Sequence, residues 1–199
     1  GDGGIITLPT KDLYDRCKLL RWYGIDREQR SSGNDFRMEN DILEYGYKFH
    51  MNDINATIGI HNLPHIDDLL QKDRANARWL TDNIFMELEQ QNKIIILRPN
   101  TKSNSAYWLY SIRVLHDAKI SFMQYMKNHN IMTSQVHNRN DKNTCVKKYL
   151  EDLPMMDQIE KELVCIPVGW WLGETELNHI KKTIQKLDRK STRLNSSHQ

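Results

Sequence analysis

Three cysteines are all that the 199 residues carry, at positions 17, 145 and 165. An odd and widely spaced set excludes a disulfide framework and a cysteine-based zinc site, so Cys17, Cys145 and Cys165 read as reduced, mostly packing residues. No apolar run approaches the ~20 residues needed to cross a bilayer, and no signal-peptide pattern opens the chain. The cytoplasm is therefore the default expectation. There is no long Lys/Arg run and no basic stripe interleaved with aromatics. The formal net charge of +2 comes from interspersed acids and bases, which argues against nucleic acid as a partner. His61, His65, His116, His129 and His179 lack metal-ligand spacing, and Pro64 breaks the helical face that His61 and His65 would share, so no metal is expected. There is no internal repeat. No initiator Met precedes Gly1, and Gly1-Asp2-Gly3-Gly4 runs directly into Ile5, Ile6 and Leu8, a pattern expected in the middle of a protein.

The chain is long enough to bury a core and to form one or two compact units. A glycine cluster lets the backbone turn sharply, and the Ile5 to Leu8 run after it reads as a buried strand. Leu13, Cys17 and Leu20 recur at helical spacing, with Thr10 available as N-cap. Residues 26 to 45, including Ser31-Ser32-Gly33-Asn34-Asp35, are polar and irregular and read as a long loop, a class of segment that is often functional. Asp53 to Asn62 reads as a short helix capped by Asn52 or Asp53. From Pro64 to about Gln91, Ile66, Leu70, Ala77, Leu80, Ile84 and Leu88 keep one apolar face, as a helix bridging two domains would. Ile94 to Leu97, Tyr107 to Val114 and Met132 to Val136 read as strands, and Ser121 to Asn128 and Leu177 to Leu187 as helices. Residues 190–199 show no period and are expected to be a disordered, non-native tail.

Gln135-Val136-His137-Asn138-Arg139-Asn140-Asp141 gathers a titratable ring, a guanidinium and amides at the end of a strand, where binding groups commonly sit. A solvated polar turn is the plain alternative. Trp170-Trp171 is adjacent aromatic surface that suits stacking, but packing is the favoured reading.

Three stretches carry a family resemblance. They are Gly1-Asp2-Gly3-Gly4, the segment from Lys11-Asp12-Leu13 to Asp26-Arg27-Glu28, and Gly46-Tyr47-Lys48-Phe49-His50-Met51-Asn52-Asp53-Ile54-Asn55-Ala56-Thr57-Ile58-Gly59. In order and spacing, over roughly residues 1 to 188, the chain resembles the DegT/DnrJ/StrS family of sugar aminotransferases, which depend on pyridoxal 5'-phosphate (PLP). The resemblance implies an α/β fold, namely the C-terminal part of a fold-type-I PLP-dependent transferase. Residues 1–63 would end the large domain, 64–92 form the bridging helix and 93–189 form a smaller α+β domain. It also implies PLP as cofactor, with the lysine that carries it as a Schiff base upstream of Gly1, so that no catalytic residue lies in this chain. The implied substrates are L-glutamate and a nucleotide-linked keto-sugar, and the implied assembly is a homodimer. Lys48 or His50 would contact the cofactor phosphate across that dimer. The family usually has Asn at the place of Lys48 and Arg at that of His50, so the resemblance leaves the two residues open. They are also accounted for as an exposed lysine and a surface histidine before a helix. His137 matches the histidine of a V-H-Y-like motif that lines the sugar-nucleotide pocket, and Arg139 suits a diphosphate or the donor carboxylate. Ile166-Pro167-Val168-Gly169 is similar to the stretch before the family's last helix. The same family includes sugar dehydratases in which His replaces the lysine. A non-catalytic module that binds a partner through the long helix and the 26 to 45 loop is the reading from another class.

Overall fold

A computed structural model describes residues 3–29, 31–32, 38–39 and 41–196. The chain divides into two compact units, Gly1–His65 and Ile66–Gln199.

The second unit holds the core. Helix α3 (Ile66–Leu80) runs into a π-turn (Thr81–Phe85) and then α4 (Met86–Gln90). The i→i+5 turn lets adjacent Ile84 and Phe85 both face inward after Ala77 and Leu80, a shift that plain 3.6-residue spacing does not give. Thr81 marks the turn: its hydroxyl lies 2.9 Å from the Ala77 carbonyl and 2.7 Å from the buried Tyr110 hydroxyl. Against this run lies a three-stranded antiparallel sheet in the order β3 (Ile94–Ile96), β4 (Tyr110–Val114), β5 (Leu163–Ile166). Register is set by alternation: Tyr110, Ile112 and Val114 are buried while Ser111 and Arg113 are half-buried. Helix α5 (Lys119–Asn128) contributes Phe122 and Met126 to the core, and α7 (Glu174–Ser196) contributes Leu177, Ile180 and Ile184. Helix α6 (Pro154–Glu162), with proline in its first turn, leads directly into β5.

The first unit is built differently. Helix α1 (Lys11–Leu20) starts at Thr10, whose hydroxyl accepts from the Leu13 amide at 3.4 Å, and α2 (Asp53–Asn62) starts at Asn52, which accepts from the Asn55 amide at 2.9 Å. Thr10 is the expected cap, and of Asn52 and Asp53 it is Asn52 that caps α2. A two-residue hairpin, β1 (Ser31–Ser32) with β2 (Met38–Glu39), falls within the segment read as a loop, of which Gly33, Asn34 and Asp35 lie outside the described residues. The end of α1 and the 46–49 segment are stitched by backbone bonds: Tyr47 to Leu20 at 2.7 Å, Tyr23 to Tyr47 at 3.0 Å and Phe49 to Arg21 at 2.9 Å. Arg16 grips Glu44 with two hydrogen bonds at 2.9 and 2.6 Å. The close approach needs two glycines. Gly24 has φ of +77°, and a Cβ at Gly46 would stand 2.3 Å from the Gly24 nitrogen and 2.6 Å from the Leu20 oxygen. Backbone atoms have no rotamer by which to yield. Gly46→Ala is expected to speed amide exchange at Tyr47 and Phe49 by about tenfold, the effect of roughly 1.4 kcal/mol. Exchange at Ile112 should be unchanged. Equal protection in both proteins would contradict the packing.

Several expectations are corrected. Ile5 to Leu8 is not a buried strand: Ile5 is 90 % and Ile6 76 % exposed, and no described strand pairs with it. An apolar pattern specifies a strand only where a partner edge exists. Met132 to Val136 gives a single bridge, Ser134 to Cys165, because Val136 turns the chain out of extended geometry at φ +65°. The final helix runs through to Ser196, past the expected stop at Leu187 and into the stretch expected to be disordered; neither Gly nor Pro interrupts it. Cys165 is buried and Cys17 half-buried, but Cys145 is exposed. Among the described residues no helix is long and apolar enough to cross a membrane.

Candidate functional site

Each unit carries one cluster of the candidate side chains. In the first, Gly3 comes against the 47–51 segment, where a Cβ would lie 2.9 Å from the Met51 methyl. The two segments, over forty residues apart, line one cleft of about 710 Å³ together with Lys48, His50, Lys18 and Arg21. Of the described residues lining it, none is Asp or Glu. Lys18 is ion-paired to Glu28, which leaves Arg21 and Lys48 to set a positive potential.

Lys48 and His50 stand in unlike surroundings. Lys48 is exposed, and its backbone bridges that of Trp22. His50 packs edge-on to the Trp22 indole, ring centres 3.9 Å apart, and its Nδ1 is buried with no hydrogen-bond partner. Burial first, then the charges of Lys48, Arg27 and Arg21, push the imidazole below its ordinary pKa. Both causes favour the uncharged ring over the imidazolium. A lysine cation in an acid-free cleft fits a phosphate monoester, so the residues present suit the phosphate end of PLP.

In the second unit, Lys119 is the buried anchor of the 135–141 loop. Its ammonium donates to Gln135 Oε1 and to the Glu160 carbonyl, both at 2.6 Å, and burial lowers its pKa. The His137 amide donates to the Gln135 carbonyl at 2.9 Å, closing a three-residue γ-turn around Val136 at φ +65°. That geometry is rare for any residue and an outlier for a β-branched one, with a cost of about 1 to 3 kcal/mol. The turn projects His137 into solvent beside Trp108, ring centres 5.7 Å apart.

Arg139 does not join it. Its side chain is 5 % exposed, and its guanidinium donates to Asp141 at 3.0 and 2.5 Å and to Asp157 of α6, with Glu160 at 3.8 Å. These carboxylates raise its pKa, by hydrogen bonds to Asp141 foremost and then Asp157. The fork that suits a diphosphate is already filled, so this geometry makes Arg139 a clamp between the loop and α6. Two 3-10 turns, Asn140–Lys142 and Thr144–Tyr149, carry the chain onward.

Trp108 stands beside His137 in a place that the sequence hid. Period-two alternation from Tyr110 and Ile112 places residue 108 on the buried face, but the strand begins only at Tyr110. Tyr107, at φ +50°, turns Trp108 outward to 72 % exposure. The packing read for Trp170 and Trp171 is corrected: they are 49 % and 65 % exposed, an edge-on pair 5.9 Å apart. Trp171 lies over Gly169, and Asn76 pins the loop by donating to the Gly169 and Leu172 carbonyls at 3.1 and 3.2 Å. Among the described residues no group of His, Cys, Asp and Glu is arranged to hold a metal ion.

The chain is similar to CalS13, a sugar aminotransferase from Micromonospora echinospora. The two are 35 % identical with a TM-score of 0.79 over 90 % of this chain and 46 % of that one. It is also similar to a UDP-4-amino-4,6-dideoxy-N-acetyl-beta-L-altrosamine transaminase from Campylobacter jejuni, 30 % identical over 39 % of this chain and 19 % of that protein. GDP-perosamine synthase from Escherichia coli O157:H7 is 26 % identical over 56 % of this chain and 27 % of its own length. The chain thus spans less than half the length of the proteins it matches. The mixed helix and sheet of this chain is the C-terminal part of a fold-type-I transferase fold, which it shares with these solved structures. The model of the DegT/DnrJ/EryC1/StrS aminotransferase family matches residues 1–185, and the chain belongs to that family.

Proposed function

We propose that the whole protein is a PLP-dependent aminotransferase that moves an amino group from L-glutamate to the keto group of a nucleotide-linked sugar. It would work as a homodimer in the cytoplasm, with amino-sugar and polysaccharide synthesis as its setting. The observation that carries this reading is the acid-free cationic cleft in which Gly3-Gly4 meets Tyr47 to Met51. The family's pattern is split between two distant segments, and both line one space. Family membership and the nucleotide sugars named for its relatives support the substrate class.

In this reading PLP supplies an electron sink for removal of the donor's Cα proton. The residues of this chain bind and orient. Lys48 would hold the cofactor phosphate as a point charge where it lines that cleft. His50, packed against Trp22, fixes the segment from which Lys48 extends. His137 meets the sugar nucleotide, from a turn that Lys119 anchors and Arg139 braces.

The test is the complete gene product, loaded with PLP, incubated with L-glutamate and a panel of nucleotide keto-sugars. Release of 2-oxoglutarate dependent on one of the sugars is expected. Loss of water from the sugar with no 2-oxoglutarate would make the protein a dehydratase. No reaction with any of them, despite bound PLP, would sink the reading.

A further inference from the structure

Singly exposed apolar residues are ordinary, so exposure alone does not mark Trp108. Three further facts do. Its indole stands 5.7 Å from the His137 ring, at 41° between planes. Each ring is turned out by a residue immediately before it in the left-handed region, Tyr107 at φ +50° and Val136 at φ +65°. Both turns are tied down at their base. The Tyr107 amide donates to Ser105 Oγ at 3.0 Å with its ring half-buried beside Tyr110, and the Val136 turn hangs from Lys119 through Gln135. Two strained, anchored turns that bring an indole and an imidazole together on the surface are an arrangement that packing does not require. Strain of this kind persists where the surroundings over-determine it, and it gathers at ligand contacts.

We propose that Trp108 is the stacking platform for the base of a nucleoside diphosphate, with His137 beside it taking the phosphates. An indole face accepts any base, because every base has a π-face, and its contribution does not depend on the base's hydrogen-bonding edge. A phosphate next to the base completes the pair, since an imidazole N–H donates to phosphate oxygen. The ligand class is therefore a nucleoside diphosphate, free or as the nucleotide part of a nucleotide sugar, with tolerance between pyrimidine and purine. This rests on the reading of His137 as a sugar-nucleotide contact, and it adds the residue that holds the base.

The experiment is calorimetric titration of the complete gene product with UDP, GDP, inorganic pyrophosphate and a hexose 1-phosphate, for wild type, Trp108→Ala, Trp108→Phe and His137→Ala. Trp108→Ala should weaken UDP and GDP alike by about tenfold, the scale of losing one base stack. It should leave pyrophosphate unchanged, and Trp108→Phe should restore most of the loss. His137→Ala should weaken both the nucleotides and pyrophosphate. Equal loss of nucleotide and pyrophosphate affinity on Trp108→Ala would show a collapsed loop and overturn the stacking. Loss confined to the hexose 1-phosphate would assign the indole to the sugar ring and overturn it as well. Undiminished UDP and GDP binding by Trp108→Ala would overturn this proposal alone. A wild type that binds no nucleotide would overturn the nucleotide-sugar function itself.

Discussion

Replacing Lys48 by Ala is expected to lower the affinity of the complete gene product for PLP by one to two decades. The phosphate would lose a charge-assisted hydrogen bond worth roughly 1.5 to 3 kcal/mol, and each 1.4 kcal/mol is a factor of ten. Fluorescence titration of the apoprotein with PLP reads it. His50→Gln should cost far less, because the ring is packed edge-on against Trp22 and burial disfavours its charged form. If the segment crosses the dimer, the defect also acts in trans. A mixed dimer with Lys48→Ala in one subunit and an inactive cofactor-linking lysine in the other keeps one intact site when both defects fall on the same active site, and none when they fall on different ones. Unchanged affinity for Lys48→Ala with a large loss for His50→Gln would reverse the assignment. Unchanged affinity for both would leave the segment a lead-in to α2.

Replacing Arg139 by Ala is expected to lower the denaturation midpoint of the second unit. The change leaves Asp141 without its hydrogen-bonding partner, and the loss is moderated because Asp157 is half-exposed and regains water. Arg139→Lys should recover only part, since an ammonium lacks the planar fork that meets both Asp141 oxygens. Chemical denaturation followed by circular dichroism measures the loss. Unchanged stability with weakened diphosphate binding would return Arg139 to the ligand and contradict the clamp.

These two residues show how sequence and structure divide the work. The periodic parts of the second unit were legible because burial enforces the period: Ala77, Leu80, Ile84 and Leu88 on one helical face, and Tyr110, Ile112 and Val114 on one strand face. The caps at Thr10 and Asn52 were legible because capping is local. Ile5 and Ile6 were misread because an apolar run carries no information about whether a second strand stands beside it. Helix α6 was not read at all; its outward charges and its short apolar stripe are mixed too evenly for the period to stand out. Around the candidate site, the residue types at 48, 50, 137 and 139 singled themselves out, but their roles did not. What separates Lys48 from His50 is the Trp22 ring, nearly thirty residues away in sequence, and what separates His137 from Arg139 is a carboxylate pair that includes Asp157 of α6. Trp108 was missed because alternation is a rule for strands, and the strand starts two residues later.

The most direct test of the central claim follows the nitrogen. The complete gene product would be given PLP, L-[15N]glutamate and the nucleotide keto-sugar that supports 2-oxoglutarate release, and the sugar product weighed by mass spectrometry. The account expects 15N in the sugar in equal amount to the 2-oxoglutarate formed, and its loss when the cofactor is left out. A sugar product without 15N, formed by a protein that holds its cofactor, would contradict it.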